Sequence, residues 1–156
     1  GCIGENYYEA ILKSMLSVGH RIPKKNILIS SGPTRSKVEL LNSTRMLIEK
    51  GYNIYSTAGT AKFFKENGID TQILYWPDED KEPNIMEYLH DRKIDLVINI
   101  PKNHTKRELD NGYKIRRAAV DYNIPLITNA RLASAFIYAI CKVDPTEIAI
   151  KSWDEY

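Results

Sequence analysis

Cysteine is nearly missing: Cys2 and Cys141 are the two in 156 residues. Two such thiols make neither a disulfide framework nor a CxxC metal motif, and they read as reduced thiols of a cytosolic protein. Long apolar runs are missing as well. None approaches the roughly 18 residues of a membrane span, and the N-terminus lacks the basic-then-apolar plan of a signal peptide. Neither charge dominates. Lys plus Arg is 22 against 20 Asp plus Glu, a net of +2, too balanced for a dedicated nucleic-acid binder, whose affinity comes from neutralising phosphates. No GxGxxG or Walker A pattern occurs, which excludes a Rossmann dehydrogenase and a P-loop enzyme. Internal repeats and low-complexity linkers are absent too. What is present is 43% hydrophobic residues, enough to exclude disorder and, at this length, to fill one domain core.

Strand and helix signals alternate along the chain. Residues 5–18 place Tyr8, Ile11, Leu12, Met15 and Leu16 at amphipathic-helix spacing, with Gly19 ready to close the helix. After a basic hinge, RIPKK, strands are expected at Asn26–Ser31, Asn53–Ser56, Thr71–Trp76, Ile94–Ile100 and Pro125–Thr128. Helices are expected at Lys37–Lys50, Thr60–Asn67, Ile85–Arg92, Tyr113–Tyr122 and Leu132–Cys141. Strands separated by helices pair in parallel, with helices on both faces and right-handed crossovers. The expected fold is α/β, a doubly wound three-layer sandwich of Rossmann type with a mainly parallel five-stranded sheet. Ligands of such sheets bind beyond the C-terminal strand ends, where strand order reverses.

The chemistry therefore belongs in the loops at those ends. In SSGPTRSK (residues 30–37) small residues allow a close backbone approach, and Lys37 stands in the first helical turn, where a cation is unfavourable for the helix itself. An anionic partner explains it; so does a plain solvated lysine behind a Ser36 cap. In STAGTA (residues 56–61) Thr57 and Thr60 flank Gly59 at another helix start, a setting for phosphate or carboxylate. In NIPKNHTK (residues 99–106) Asn99 ends the most apolar strand, where a buried amide needs partners. His104 in that loop reads as a surface histidine, since no carboxylate or nucleophile is tied to it. Arg116 and Arg117 point about 100° apart on one helix and cannot serve one site together, so one is expected to pair with a carboxylate. Trp76 before Pro77 fits a pocket wall and partly buried core equally well. The acidic stretch PDEDKEPN reads as solvated surface.

The blocks GYNIYSTAGTAKFFKENGI, DLVINIP and GYKIRRAAVDYNIPLITN, together with the loop bearing Lys37, resemble the methylglyoxal-synthase-like domain family. The resemblance is nearest to the C-terminal allosteric domain of the carbamoyl-phosphate synthetase large chain and runs from residue 5 to about 141. ENYYEAILKSMLSVGHRIPK looks like the helix and hinge leaving the preceding synthetase unit. The implied division is residues 1–25 for that helix and hinge, and 26–156 for the allosteric domain. The resemblance implies an effector site at Lys37, Thr57, Thr60, Trp76, Asn99 and Asn111. The two threonines match those that hold an effector's phosphate or carboxylate, and Lys37 matches a phosphate-binding lysine of nucleotide-regulated members. Asn99 matches the asparagine that ends strand four. Trp76 and Asn111 match residues of the acetylglutamate-activated urea-cycle enzymes. Bacterial nucleotide-regulated members tend to carry lysine where Trp76 stands, urea-cycle members lack the lysine equivalent to Lys37, and animal pyrimidine-pathway members have both. The implied effector is thus an anionic small molecule of UMP, IMP or N-acetylglutamate type.

The implied parent makes carbamoyl phosphate from bicarbonate, glutamine or ammonia, and ATP, for arginine and pyrimidine biosynthesis. These residues should then be non-catalytic and hold no metal or cofactor, ATP with Mg or Mn belonging to the parent. Expected partners are the preceding synthetase domains and a small glutaminase subunit, without nucleic acid or membrane, in the cytoplasm. Two rival readings stand beside this one. A free-standing lyase acting on dihydroxyacetone phosphate would need the GGD-type motif after strand four and an HD pair near strand one. PKNHTK and SGPTRS stand there instead, with no acidic residue until Glu108, so the base for enediol formation is missing. A docking domain without effector binding is opposed by the intact Lys37, Thr57 and Thr60 set.

Overall fold

The structure, a computed structural model, describes residues 10, 13–14, 23–101 and 105–142. The expected N-terminal apolar face, the loop residues Lys102 to His104 and everything after Lys142 lie outside the described residues. Five strands form one sheet: β1 (Asn26–Ser31), β2 (Asn53–Ser56), β3 (Gln72–Ile73), β4 (Leu96–Ile100) and β5 (Leu126–Ile127), in the order β3-β2-β1-β4-β5. All pairings are parallel. Helices α1 (Thr34–Glu49), α2 (Ala58–Glu66), α3 (Ile85–His90), α4 (Lys106–Asp121) and α5 (Ala130–Lys142) alternate with them. The α/β sandwich expected from the sequence is the fold observed.

The central strands are apolar along residues 27–29 and 96–98, as strands covered on both faces are, and turn polar at Ser30, Ser31 and Asn99 near their C-terminal ends. Alternation then sorts their side chains between two cores. Ile27, Ile29, Leu96 and Ile98 pack with Leu40 and Leu47 of α1, Phe64 of α2 and Phe136 and Ile137 of α5. Leu28 and Val97 face the other way, against Ile85 and Leu89 of α3 and Ile115, Ala118 and Ala119 of α4. Hence α1, α2 and α5 form one layer and α3 and α4 the other. Strand order reverses between β1 and β4, whose C-terminal ends meet with Ser30 beside Asn99 and Ser31 beside Ile100. That junction is where a ligand site belongs.

Three boundaries differ from the sequence reading by three residues or more. Helix α1 begins at Thr34 with Pro33 as its N-cap residue, so Ser36 is not the cap; Lys37 still lies in the first turn, its N–H bonded to Pro33 O at 3.0 Å. Helix α4 begins at Lys106, not Tyr113, because Thr105 accepts the Glu108 N–H at 3.3 Å and starts the helix early. Edge strand β3 is cut to Gln72–Ile73: past Leu74, whose N–H reaches Ser56 O, the chain leaves β2 and bridges to Asn84. Among the described residues no helix is long and apolar enough to cross a membrane.

Candidate functional site

A cleft of about 230 Å³ opens beyond the C-terminal ends of β1, β2 and β4. Lys37, Thr57, Thr60, Trp76, Asn99 and Asn111, singled out above, all line it. They reach it from both helical layers.

On one side the floor is a chain of hydroxyls. Ser30 Oγ and Thr57 Oγ1 are 3.0 Å apart, Thr57 Oγ1 donates to Thr60 Oγ1 at 3.4 Å, and Thr60 Oγ1 donates to Ser31 O at 3.2 Å. Thr60 Oγ1 also accepts the Ser31 N–H at 3.0 Å. Thr57 is the N-cap residue of α2, yet its hydroxyl makes no cap bond because it is spent on this network. The first intrahelical bond, Ala61 N–H to Thr57 O, leaves the amides of Ala58, Gly59 and Thr60 without helical partners. Gly59 lines the cleft, so free amides and the positive end of the helix dipole face it. From α1, Lys37 is half-buried with Nζ 6.0 Å from the Phe63 ring centroid. No carboxylate pairs with it among the described residues.

The other side comes from α4 and the segment between β3 and α3. Trp76 is half-buried and does both things expected of it: it walls the cleft and packs against the second core. Asn111 is 4% exposed, and its Oδ1 has no hydrogen-bond partner. Ser31 Oγ, at the end of β1, is likewise buried and unpartnered. Buried polar atoms are nearly always paired, and these two border the same cleft.

Sequence reasoning missed Ser31, Arg107 and Glu108, which also line it. Glu108, noted in the sequence only as the first acidic residue after strand four, reaches the cleft lining. The T-x-x-E spacing of Thr105 and Glu108 is a capping-box signature that could have started α4 in the right place and carried both α4 residues to the cleft. Arg107 pairs with Asp78, Nε to Oδ2 at 2.6 Å and an Nη to Oδ1 at 3.2 Å, and reaches Glu79 at 3.7 Å. That guanidinium, with the nearby Asn111 amide, holds the Asp78 carboxyl below its ordinary range against a smaller opposing effect of desolvation. Arg116 and Arg117 are exposed and outside the cleft lining. Arg117 has the expected carboxylate partner, Asp121, at 3.5 Å. His104 lies outside the described residues.

The arrangement can hold an anion. Among the described residues no cluster of three His, Cys, Asp or Glu could hold a metal. Cys141 is buried and free, and burial raises its thiol pKa.

Residues 39–128 match the family described as the MGS-like domain. The chain is 43% identical to "Multifunctional protein CAD" of Squalus acanthias over 93% of its own length and 7% of that protein's. It is 44% identical to "Multifunctional protein ura1" of Schizosaccharomyces pombe, over 90% of this chain and 7% of that one. It is 38% identical to "Carbamoyl-phosphate synthase [ammonia], mitochondrial" of Homo sapiens, over 90% and 10%. The chain thus spans a tenth or less of the length of these relatives. A solved methylglyoxal synthase from Elizabethkingia anophelis superposes with a TM-score of 0.53 at 17% identity, covering 74% of this chain and 79% of that one, which is a likeness of fold. On the match over residues 39–128 and the shared sheet, this chain belongs to the MGS-like domain family.

Proposed function

We propose that this chain is the effector-binding regulatory domain of a carbamoyl-phosphate-synthase type multidomain enzyme, with residues 1–25 as connecting helix and hinge and 26–156 as the effector domain. The observation that carries the reading is one cleft that joins Lys37, a cation with no carboxylate partner among the described residues, to the N-terminal amides of α2, with the buried Ser31 Oγ and Asn111 Oδ1 likewise without partners among the described residues. Leaving such groups unpaired costs folding stability, and a bound ligand removes that cost. Lys37 and the α2 amides take an anionic group, which the hydroxyls of Thr57 and Thr60 can join by rotating their protons. The parent enzyme joins bicarbonate, glutamine or ammonia, and ATP, with Mg or Mn bound elsewhere in that chain. The effector acts on it only through differential affinity for two states of the whole.

Calorimetric titration of the chain with UMP, IMP and N-acetylglutamate tests the reading. One of them should bind, and Lys37→Ala should weaken it. Absence of binding by all three and by inorganic phosphate sinks the proposal. A lyase reading would have to draw on Glu108, which lines the cleft but stands in none of the family's base motifs. Incubation with dihydroxyacetone phosphate tests it, and no methylglyoxal above a heat-killed control is expected.

A further inference from the structure

Arg107 brings a second cation to the cleft, from the layer opposite Lys37. Its partners, Asp78 and Glu79, lie on the segment from Trp76 to Asn84, a strap that leaves the sheet edge and returns to start α3. The strap is closed at its neck by its own bonds. Asn84 Nδ2 donates to Trp76 O at 2.9 Å and Glu79 O at 3.1 Å, and Tyr75 N–H donates to Pro83 O at 2.8 Å. It therefore does not depend on Arg107 for its shape. The Arg107 side chain is 62% exposed and that of Asp78 34%, and exposed ion pairs are weak enough to be exchanged. A guanidinium fork grips an incoming carboxylate or phosphate as readily as Asp78. Beside it Asn111 Oδ1 is a buried acceptor without a donor, the atom an N–H or O–H of a ligand would meet.

We propose that Arg107 is a second anion-recognition residue of this cleft, held in reserve by Asp78, and that the ligand carries acidic groups at both ends. One acid sits at Lys37 and the α2 amides. The other replaces Asp78 on Arg107 and frees the strap, while a donor between them satisfies Asn111. Trp76, at the base of the strap and in the cleft wall, links occupancy to strap position. The inference rests on the anion-binding reading of the same site and adds the ligand's second acid and the internal carboxylate that competes with it.

Matched probes separate the two ideas. N-acetylglutamate is compared with N-acetylglutamine, and fructose 1,6-bisphosphate with fructose 6-phosphate, so that the arms also tell a dicarboxylate from a bisphosphate. Inorganic phosphate, with no tethered second acid to displace Asp78, reports chiefly the first subsite. In the wild-type chain a diacid should bind at least about tenfold tighter than its monoacid counterpart, the scale of one charge-assisted hydrogen bond. Arg107→Gln should abolish that preference and cost phosphate binding far less than it costs diacid binding. Asp78→Asn should tighten the diacid between about 1.5- and 5-fold, the range set by loss of an exposed competing pair, and should do nothing in the Arg107→Gln background. Phosphate binding with no diacid preference, or a preference that survives Arg107→Gln, overturns the inference and leaves the anion-binding reading standing. Failure of every probe, phosphate included, overturns both.

Discussion

The Thr60 hydroxyl and the Ser31 backbone hold each other twice: Ser31 N–H donates to Thr60 Oγ1 at 3.0 Å, and Thr60 Oγ1 donates back to Ser31 O at 3.2 Å. One side chain from the first turn of α2 thereby fixes the end of β1, where the strand has outrun its neighbour β2. Thr60 braces the cleft before any ligand arrives.

Thr60→Val should therefore destabilise the unliganded chain, because it leaves a buried N–H and C=O without partners. The expected loss is about 1–3 kcal/mol in urea unfolding, and Thr60→Ser should recover most of it. A valine variant as stable as the wild type would remove the brace and return Thr60 to the role of a pure ligand contact.

Glycine substitutions should split by backbone conformation. Gly112 lies inside α4, and a Cβ built there meets open space, so Gly112→Ala should gain about 0.5–1 kcal/mol of thermal stability. Gly51 closes α1 at φ +95°, a conformation that L side chains resist, and Gly51→Ala should lose about 1 kcal/mol or more. The opposite order of melting temperatures would contradict both backbone assignments.

The sheet was legible because its signal is local. NILISS and LVINI are apolar runs too short for helices, and each loop after them begins with residues that start a helix. That the six candidate residues would line one cleft was legible for Lys37, Thr57, Thr60, Trp76 and Asn99 from their places at or just beyond strand ends, and for Asn111, inside α4, through the family resemblance alone. Arg107 was not, for a physical reason: its partner Asp78 is 29 positions away, and no periodicity encodes contact across two layers. Helix α4 was read short because its first turns, KRELDNG, hold a single large apolar residue, Leu109, which is 54% exposed. Those turns are set by the Thr105 cap, so a search for buried faces passes over them.

The Asp78 titration should report the strap directly. Its carboxyl is held below the ordinary value of 3.8, first by the Arg107 hydrogen bond. A carboxylate depressed on folding contributes stability that is complete above its unfolded pKa and lost as pH falls through the folded one. The contact with Arg107 should thus be intact at neutral pH and fail only in strong acid. Carbon-detected NMR should place the Asp78 midpoint below 3.8, and Arg107→Gln should move it upward. A midpoint unmoved by that change would deny that Arg107 holds Asp78 in solution.

Ser31→Ala separates folding from binding most sharply. Ser31 is 2% exposed and its Oγ has no partner, while its backbone N–H and C=O are held by Thr60. Removing the hydroxyl leaves those backbone bonds intact and deletes a desolvated polar atom that gains nothing in the unliganded chain. An unpaired buried group costs about 1–3 kcal/mol, so the alanine variant should unfold at equal or higher urea concentration. Its cleft should nonetheless bind phosphate less tightly, because the hydroxyl that would donate to the anion is gone. Stability and affinity moving in opposite directions is the mark of a group kept for a ligand. If Ser31→Ala instead loses stability and binds phosphate as before, the hydroxyl is a packing group and the anion is held by Lys37 and the α2 amides alone.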